Sequence, residues 1–344
     1  MKLIKKLIWI AVIAFLLSAC SQLGGEKENI DPPQKVSYED DLDVTGEKNA
    51  DGEKANEVKT ELYLIDKNGY VVPKTLGLPN TKSVAKQALE YLVKGGPVTE
   101  YLPNDFRAVL PEGTEVSVDV KDGVATADFS KEFAEYAPED EMKVLQSITW
   151  TLTQFDSIKQ VKLKMNGKNL KEMPVNGTPI KDMLTRKDGI NIDSSTAVDI
   201  TNTYPVTVYY LAQSNEERYY VPVTKRVSNK NDNPVTAVVK ELIKGPNMTS
   251  DLYSLFMPDV ELVEEPKMEN GIVKLNFNEN IYGSYDQKLV SKQVLEPLVL
   301  SLTEQEGVEG VAIQVNGKTD IVNQDGKPLT EPVTRPEHVN TGSF

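Results

Sequence analysis

Gly123-Val124-Ala125-Thr126-Ala127-Asp128-Phe129 returns later in the chain as Gly271-Ile272-Val273-Lys274-Leu275-Asn276-Phe277. Four more stretches recur around it in the same order. Tyr70-Val71-Val72-Pro73 matches Tyr219-Tyr220-Val221-Pro222, and Leu92-Val93-Lys94-Gly95-Gly96-Pro97 matches Leu242-Ile243-Lys244-Gly245-Pro246. Leu110-Pro111 matches Met257-Pro258, and Met165-Asn166-Gly167-Lys168 matches Val315-Asn316-Gly317-Lys318. Five ordered anchors at offsets of 147 to 150 positions mark a tandem duplication, each copy about the size of one ordinary domain.

Apolar periodicity gives both copies the same elements. Glu61 to Ile65 and Tyr70 to Pro73 read as short strands around Lys67-Asn68-Gly69, and Val206 to Leu211 and Tyr219 to Val223 repeat them. A helix follows. Ala85, Ala88, Leu89 and Leu92 form one apolar stripe from about Thr81 to Gly95-Gly96, and Val235, Val238, Val239 and Leu242 form the other, with Pro234 opening and Gly245 closing the helix. Glu115 to Val120 and Val124 to Phe129 pair around Asp122-Gly123, as Val260 to Met268 and Ile272 to Phe277 do around Asn270-Gly271. A second helix carries Leu145, Ile148, Thr149 and Leu152, echoed by Leu295, Leu298, Val299 and Leu302, where Pro297 should kink or shorten it. Lys159 to Met165 and Val308 to Val315 close the copies as strands, with room for one more after each Asn-Gly. The order β-β-α-β-β-α-β predicts an α/β (α+β) fold: two copies of a small mixed-sheet domain with two helices on one face. A single sheet fused across the copies is the alternative.

The first twenty residues form an export signal. Lys2, Lys5 and Lys6 precede the apolar run Leu7 to Leu17, which is short for a membrane span. Leu17-Ser18-Ala19-Cys20 then resembles a bacterial lipobox. That resemblance implies cleavage before Cys20 and diacylglycerol on its sulfur, which would hold the chain to a membrane without a basic patch. Ser21 to Lys59 carries eleven acidic residues against five basic ones and few apolar residues, and reads as an acidic tether. Its run Glu39-Asp40-Asp41-Leu42-Asp43 offers carboxylates but nothing to fix a metal geometry. The expected organisation is therefore signal peptide 1–19, disordered tether 20–59, first domain 60–188, connector 189–203, second domain 204–335 and tail 336–344.

Composition removes several functions. The net charge of −14 across 344 residues falls to −17 once the signal's three lysines are gone, which opposes nucleic acid and anionic headgroups. Cys20 and His338 are the only cysteine and histidine, so no intrachain disulfide or Cys/His zinc site can form, and a triad would have to draw on His338 as its base. His338 falls in the stretch read as tail. An enzyme would have to use carboxylates, and Asp119, Asp128, Glu135, Asp140 and Glu141 are candidates for a glycan-cleaving pair. Asp128 becomes Asn276 in the second copy, and Asp at strand ends usually caps turns. Gly95-Gly96 follows a helix, so it is no phosphate loop. Tyr204, Tyr209, Tyr210, Tyr219 and Tyr220 are read as cross-strand core residues.

The doubled Leu-Val-Lys-Gly-Gly-Pro stop, the Leu-Pro before the hairpin, the strand ending in Asp128-Phe129 or Asn276-Phe277, and the later Asn-Gly-Lys, all set behind a lipobox, resemble the GerM-type sporulation and spore germination domain family. The resemblance covers about residues 60 to 335 plus the lipobox. It implies a core similar to ring-building motifs and a noncatalytic, extracytoplasmic role without a cofactor, with Cys20 as the lipidation site. The implied partners are the membrane through the lipid, protein components of an assembly between mother cell and forespore membranes, and further copies of the chain in ring contacts. A wall-glycan-binding module and a carboxylate-based wall hydrolase are the alternatives.

Overall fold

The computed structural model describes residues 57–102, 104–195, 202–214, 217–229 and 233–341. The signal peptide, the Leu17-Ser18-Ala19-Cys20 lipobox and the tether up to residue 56 lie outside the described residues. The first copy opens with a hairpin of β1 (Glu57–Asp66) and β2 (Val71–Pro79), paired from Glu57 with Pro79 to Ile65 with Val71. Its turn is made locally. Asp66 Oδ1 accepts from the Asn68 and Tyr70 amides (3.0 and 2.8 Å), and Gly69 supplies a φ of 85°. The strands are twice the expected length. β1 begins at Glu57, inside the stretch 20–59 read as tether, because β2 continues far enough to take up its backbone donors and acceptors.

Helix α1 (Val84–Glu90) buries Ala85, Ala88 and Leu89 as the stripe predicts, but ends well before Gly95. Leu92 and Val93 amides turn back to the carbonyls three residues earlier (3.0 and 3.2 Å), and the Leu92 carbonyl receives Val109 and Leu110. That exchange brings in β3 (Phe106–Arg107), which pairs with β1. Next come β4 (Val116–Lys121), β5 (Val124–Phe129), helix α2 (Glu141–Leu152), β6 (Gln160–Met165) and β7 (Lys168–Asn169), with the sheet ordered β4-β5-β6-β7. β5 and β6 run parallel across α2, and the other pairs are antiparallel. Asp122-Gly123 and Asn166-Gly167 turn with paired positive φ values of 51° and 78°, and 50° and 78°.

The second copy follows the same course without a strand at the place of β3, with β8 (Thr203–Ser214), β9 (Glu217–Ser228), α3 (Pro234–Lys244), β10 (Lys267–Glu269), β11 (Ile272–Phe277), α4 (Lys292–Leu302) and β12 (Gly310–Val315), and ends on β13 (Val333–Thr334), which matches Leu184-Thr185 rather than β7. Helix α3 matches its expected bounds. Asn233 Oδ1 caps the Thr236 amide (2.8 Å), Pro234 fills the first turn, and Gly245 ends the helix at φ 80°. β10 is only three residues long because Pro266, just before it, cannot donate to a ladder. Helix α4 runs through Pro297 uninterrupted, contrary to the expected shortening. A proline deletes one amide donor, while Leu295 to Ser291 (2.9 Å) and Thr303 to Val299 (3.0 Å) hold the flanking turns.

The α/β class and the duplication stand, but each hairpin lies in a sheet separate from the four-stranded one, the first with β3 added beside β1 and the second alone. The outer edges explain why. The Tyr63 amide of β1 donates to Thr151 Oγ1 on α2 (3.1 Å), and the Tyr209 amide of β8 donates to Ser301 Oγ on α4 (2.8 Å). A helix hydroxyl thus takes a central amide on the outer edge of each hairpin, and β3 reaches only the end of β1, at Ile65 and Asp66. The two hairpins instead meet through β2 and β9, and no sheet is fused across the copies among the described residues.

Candidate functional site

The most elaborate chemistry lies where the copies meet. Val71 and Pro73 of β2 face Tyr220 and Pro222 of β9, and prolines cannot complete a ladder. Two asparagines fill the gap. Asn191 accepts from the Val71 amide (2.8 Å) and donates to the Val71 and Pro222 carbonyls (2.7 and 2.8 Å). Asn340 accepts from the Tyr220 amide (2.8 Å) and donates to the Pro73 and Tyr220 carbonyls (2.8 and 2.9 Å). Both are left-handed, with φ 45° and 54°, a conformation asparagine tolerates well. They are related by the pseudo-twofold that exchanges the copies.

The preceding residues cross over as well. Ile190, at the end of the first copy, exchanges bonds with Thr224 of the second: its amide donates to Thr224 Oγ1 (2.9 Å) and its carbonyl accepts from the Thr224 amide (2.8 Å). Val339, at the end of the second copy, accepts from Thr75 Oγ1 of the first (2.8 Å). Ile190 and Val339 are both buried. Each copy therefore ends in a strap over the other copy's hairpin. The stretches read as connector (189–203) and tail (336–344) hold these straps, so His338 stands between a strap arginine and the buried Val339.

Between the straps lies a buried charge cluster. Arg186 sits 4.4 Å above the Trp150 ring and 5.9 Å from the Tyr63 ring, and Arg335 sits 5.5 Å from the Tyr209 ring. Both arginines reach Glu304, Arg186 at 2.9 Å and Arg335 at 3.0 Å, and Tyr209 donates to the same carboxylate at 2.9 Å. Burial pushes the Glu304 carboxyl up, but Arg186 and Arg335 outweigh it and hold it below the ordinary glutamate value. In the first copy Gln154 occupies the position of Glu304. It clasps the Glu61 backbone, accepting from its amide (2.7 Å) and donating to its carbonyl (2.5 Å). Elsewhere along the seam Tyr219 donates to buried Asp66 at 2.8 Å, and Phe106 packs edge-on against Tyr219 at 5.4 Å. We expect Asn340→Ala to cost about 2–4 kcal/mol in urea unfolding, since three seam bonds are lost in a half-buried place.

These residues carry a signal in the sequence beyond the five anchors. Leu184-Thr185-Arg186 and Ile190-Asn191 return as Val333-Thr334-Arg335 and Val339-Asn340, 149 positions on. The pattern has no helical or strand period, so it reads as linker until the repeat is extended past the Asn-Gly turns.

The candidate carboxylates do not converge. Asp119 and Glu135 are exposed. Asp140 is held by Arg107 and Lys143, each at 2.8 Å. Glu141 is buried and accepts from the Val175, Asn176 and Thr178 amides (3.2, 2.7 and 3.1 Å), from Thr178 Oγ1 and from Tyr136 (2.9 Å). Asp128 Oδ1 caps the Gly167 amide at 3.0 Å, and Asn276 Oδ1 does the same for Gly317 at 2.9 Å. An acceptor oxygen is what the two copies share there, and Asn276 Nδ2 also donates to Glu264 (3.1 Å). Asp128→Asn should therefore shift stability by less than about 0.5 kcal/mol in thermal unfolding.

Gly95 takes φ 72°, and a Cβ on Gly96 would stand 2.9 Å from the Val93 carbonyl, so the glycine pair makes a tight turn in the loop after α1. Tyr209, Tyr210 and Tyr219 are buried, and Tyr204 and Tyr220 half-buried. No cluster of metal-ligating side chains occurs among the described residues, and no helix among them is long and apolar enough to cross a membrane. A cleft of about 580 Å³ opens beside the cluster, lined by Trp150 and Arg186 from the first copy and Tyr204, Pro234, Met268 and Val308 from the second.

The family described as sporulation and spore germination matches residues 61–171 and 207–320, one match per copy and both ending before the straps. The chain is 54% identical over 350 residues to the spore germination protein GerM of Bacillus subtilis (strain 168), covering 96% of each. The solved tandem GerMN domains of the sporulation protein GerM from Bacillus subtilis superpose with a TM-score of 0.80 at 57% identity, covering 83% of this chain and all of that one. Two matched copies, in the order and at the spacing of the internal repeat, make this chain a tandem-domain member of the sporulation and spore germination family.

Proposed function

We propose that the chain is a noncatalytic envelope protein needed for sporulation and spore germination, held to a membrane on its extracytoplasmic face by lipid on Cys20. In this reading it acts as an adaptor in a protein assembly between the mother cell and forespore membranes. The observation that carries the reading is the seam. Its charges and its asparagines are spent on locking two copies into one body, and the carboxylates outside it are exposed, paired or buried against amides. Such a body suits a fixed spacer that presents two differing surfaces at a set distance. It does not suit two independent modules, whose linked binding would depend on separate reach.

Two measurements test this. Cys20→Ala should leave the protein soluble or unprocessed in cell fractionation, and a correctly cleaved Cys20→Ala product retained fully on membranes overturns the lipid anchor. Crosslinking in sporulating cells should capture envelope proteins. Recovery of glycan alone overturns the adaptor reading in favour of a wall-binding module.

A further inference from the structure

The chain is acidic overall, yet its lysines are unevenly placed. Residues 157–171 hold Lys159, Lys162, Lys164, Lys168 and Lys171 and no Asp or Glu. Along β6, Val161 and Leu163 are buried while Lys162 and Lys164 alternate with them, so both project from the outer side of the first copy's sheet. The register pairs Asn169 of β7 with Lys164 on that side, while exposed Lys168, paired with Met165, turns to the other side at the sheet's edge. Opposing charge is limited. The register places Asp119 and Thr126 beside Lys162, and Asp128 beside Lys164, with Asp128 already bonded to the Gly167 amide. None of the five lysines forms an ion pair among the described residues, whereas Lys143 and Lys181 nearby in the chain do.

The duplication supplies an internal control. The positions equivalent to the five lysines in the second copy are Glu309, Ala312, Gln314, Lys318 and Ile321, with Ala312 and Gln314 on β12 where Lys162 and Lys164 stand on β6. The fold does not need cations there. All five are lysine, a compact point charge, with no arginine for bidentate pairing and no aromatic among the outward residues of β6 and β7 for stacking on sugars or bases. That chemistry fits a diffuse anionic plane. The copy that bears it is also the one joined through residues 21–56 to Cys20. We propose that the outer face of β6 and β7 in the first copy docks on anionic lipid headgroups, orienting the tandem body against a membrane despite its net charge.

The proposal does not depend on lipid at Cys20, so the test uses the tandem body from residue 57 onward, a span that stands as a structure of its own in the Bacillus subtilis relative. Flotation would compare vesicles of phosphatidylcholine alone with vesicles of equal parts phosphatidylcholine and phosphatidylglycerol. Binding to the anionic vesicles should exceed binding to neutral ones at least about tenfold at low salt, and fade as salt rises. Lys162→Glu with Lys164→Glu should remove at least about tenfold of that affinity, while Lys318→Glu with Lys327→Glu in the second copy should change it by less than about twofold. Equal loss in both variants, equal binding to both vesicles, or no binding at low salt overturns the proposal. So does binding confined to a soluble polyanion such as polyglutamate, which would assign the lysines to an acidic polymer.

Discussion

Glu304→Ala should lower the free energy of unfolding by about 3–5 kcal/mol, the largest loss expected from a single side chain in the seam. The substitution removes the carboxylate shared by Arg186 and Arg335 and leaves two partly buried guanidinium groups without it. Most of the cost is their residual repulsion and desolvation, since an intact buried ion pair contributes little over a well-packed apolar one. Urea unfolding followed by intrinsic fluorescence would measure it, with Trp150 stacked under Arg186 as reporter. A loss under about 1 kcal/mol would mean that the arginines find other partners. The sign with pH follows from the direction of the shift. Glu304 has its folded value below its unfolded one, so its stabilisation is present above the unfolded value and disappears as pH falls through the folded value.

Glu141→Ala should cost a comparable amount, about 3–5 kcal/mol, for a different reason. Glu141 lies at the first residue of α2 and gathers three amides of the 175–178 loop together with Thr178 and Tyr136. Removing it strands several donors at once around a carboxylate that is itself buried. Burial raises its carboxyl, but the hydrogen bonds from Asn176 and Thr178 and their neighbours outweigh it and bring the group down to about 2 from an ordinary 4.5. Its contribution is therefore complete above the ordinary value and is lost as pH falls from there toward 2. Thermal melts in that acid window should flatten in Glu141→Gln, while wild type keeps a steep acid limb. An unchanged limb in the variant would mean that another carboxylate governs acid unfolding.

Local chemistry was legible in the sequence wherever a residue type dictates a backbone conformation. Asp122-Gly123, Asn166-Gly167, Asn270-Gly271 and Asn316-Gly317 all turn with paired positive φ, as those dipeptides require. Asn233-Pro234 and Gly245 likewise bound α3 where they should. The hairpin lengths were not legible, because the first residues of β1, Glu57-Val58-Lys59, are charged or single apolar residues that match the preceding acidic stretch. Their strand state comes from the partner β2, which no window of β1 contains.

The seam was hidden for a related reason. Asn191 and Asn340 act on strands of the opposite copy, and Arg186 and Arg335 meet over a carboxylate that only one copy retains. Nothing within ten residues of either asparagine announces that geometry. The repeat itself announces it once its offset is followed beyond the last Asn-Gly turn. The carboxylate candidates failed as a catalytic set because fold-making bonds occupy the most buried of them.

The exchanged straps also set the order in which the body can be completed. Thr75 of the first hairpin waits for Val339, 264 residues further along the chain, and Pro73 waits for Asn340. A chain that emerges from its amino end cannot finish its first half before its last residues arrive. Contacts of such separation slow folding, because a long loop must close before they form. Until then the edge of β2 stays open, so the nascent first half depends on protection from other extended segments. A stop codon a few residues early would damage the beginning of the molecule as much as its end.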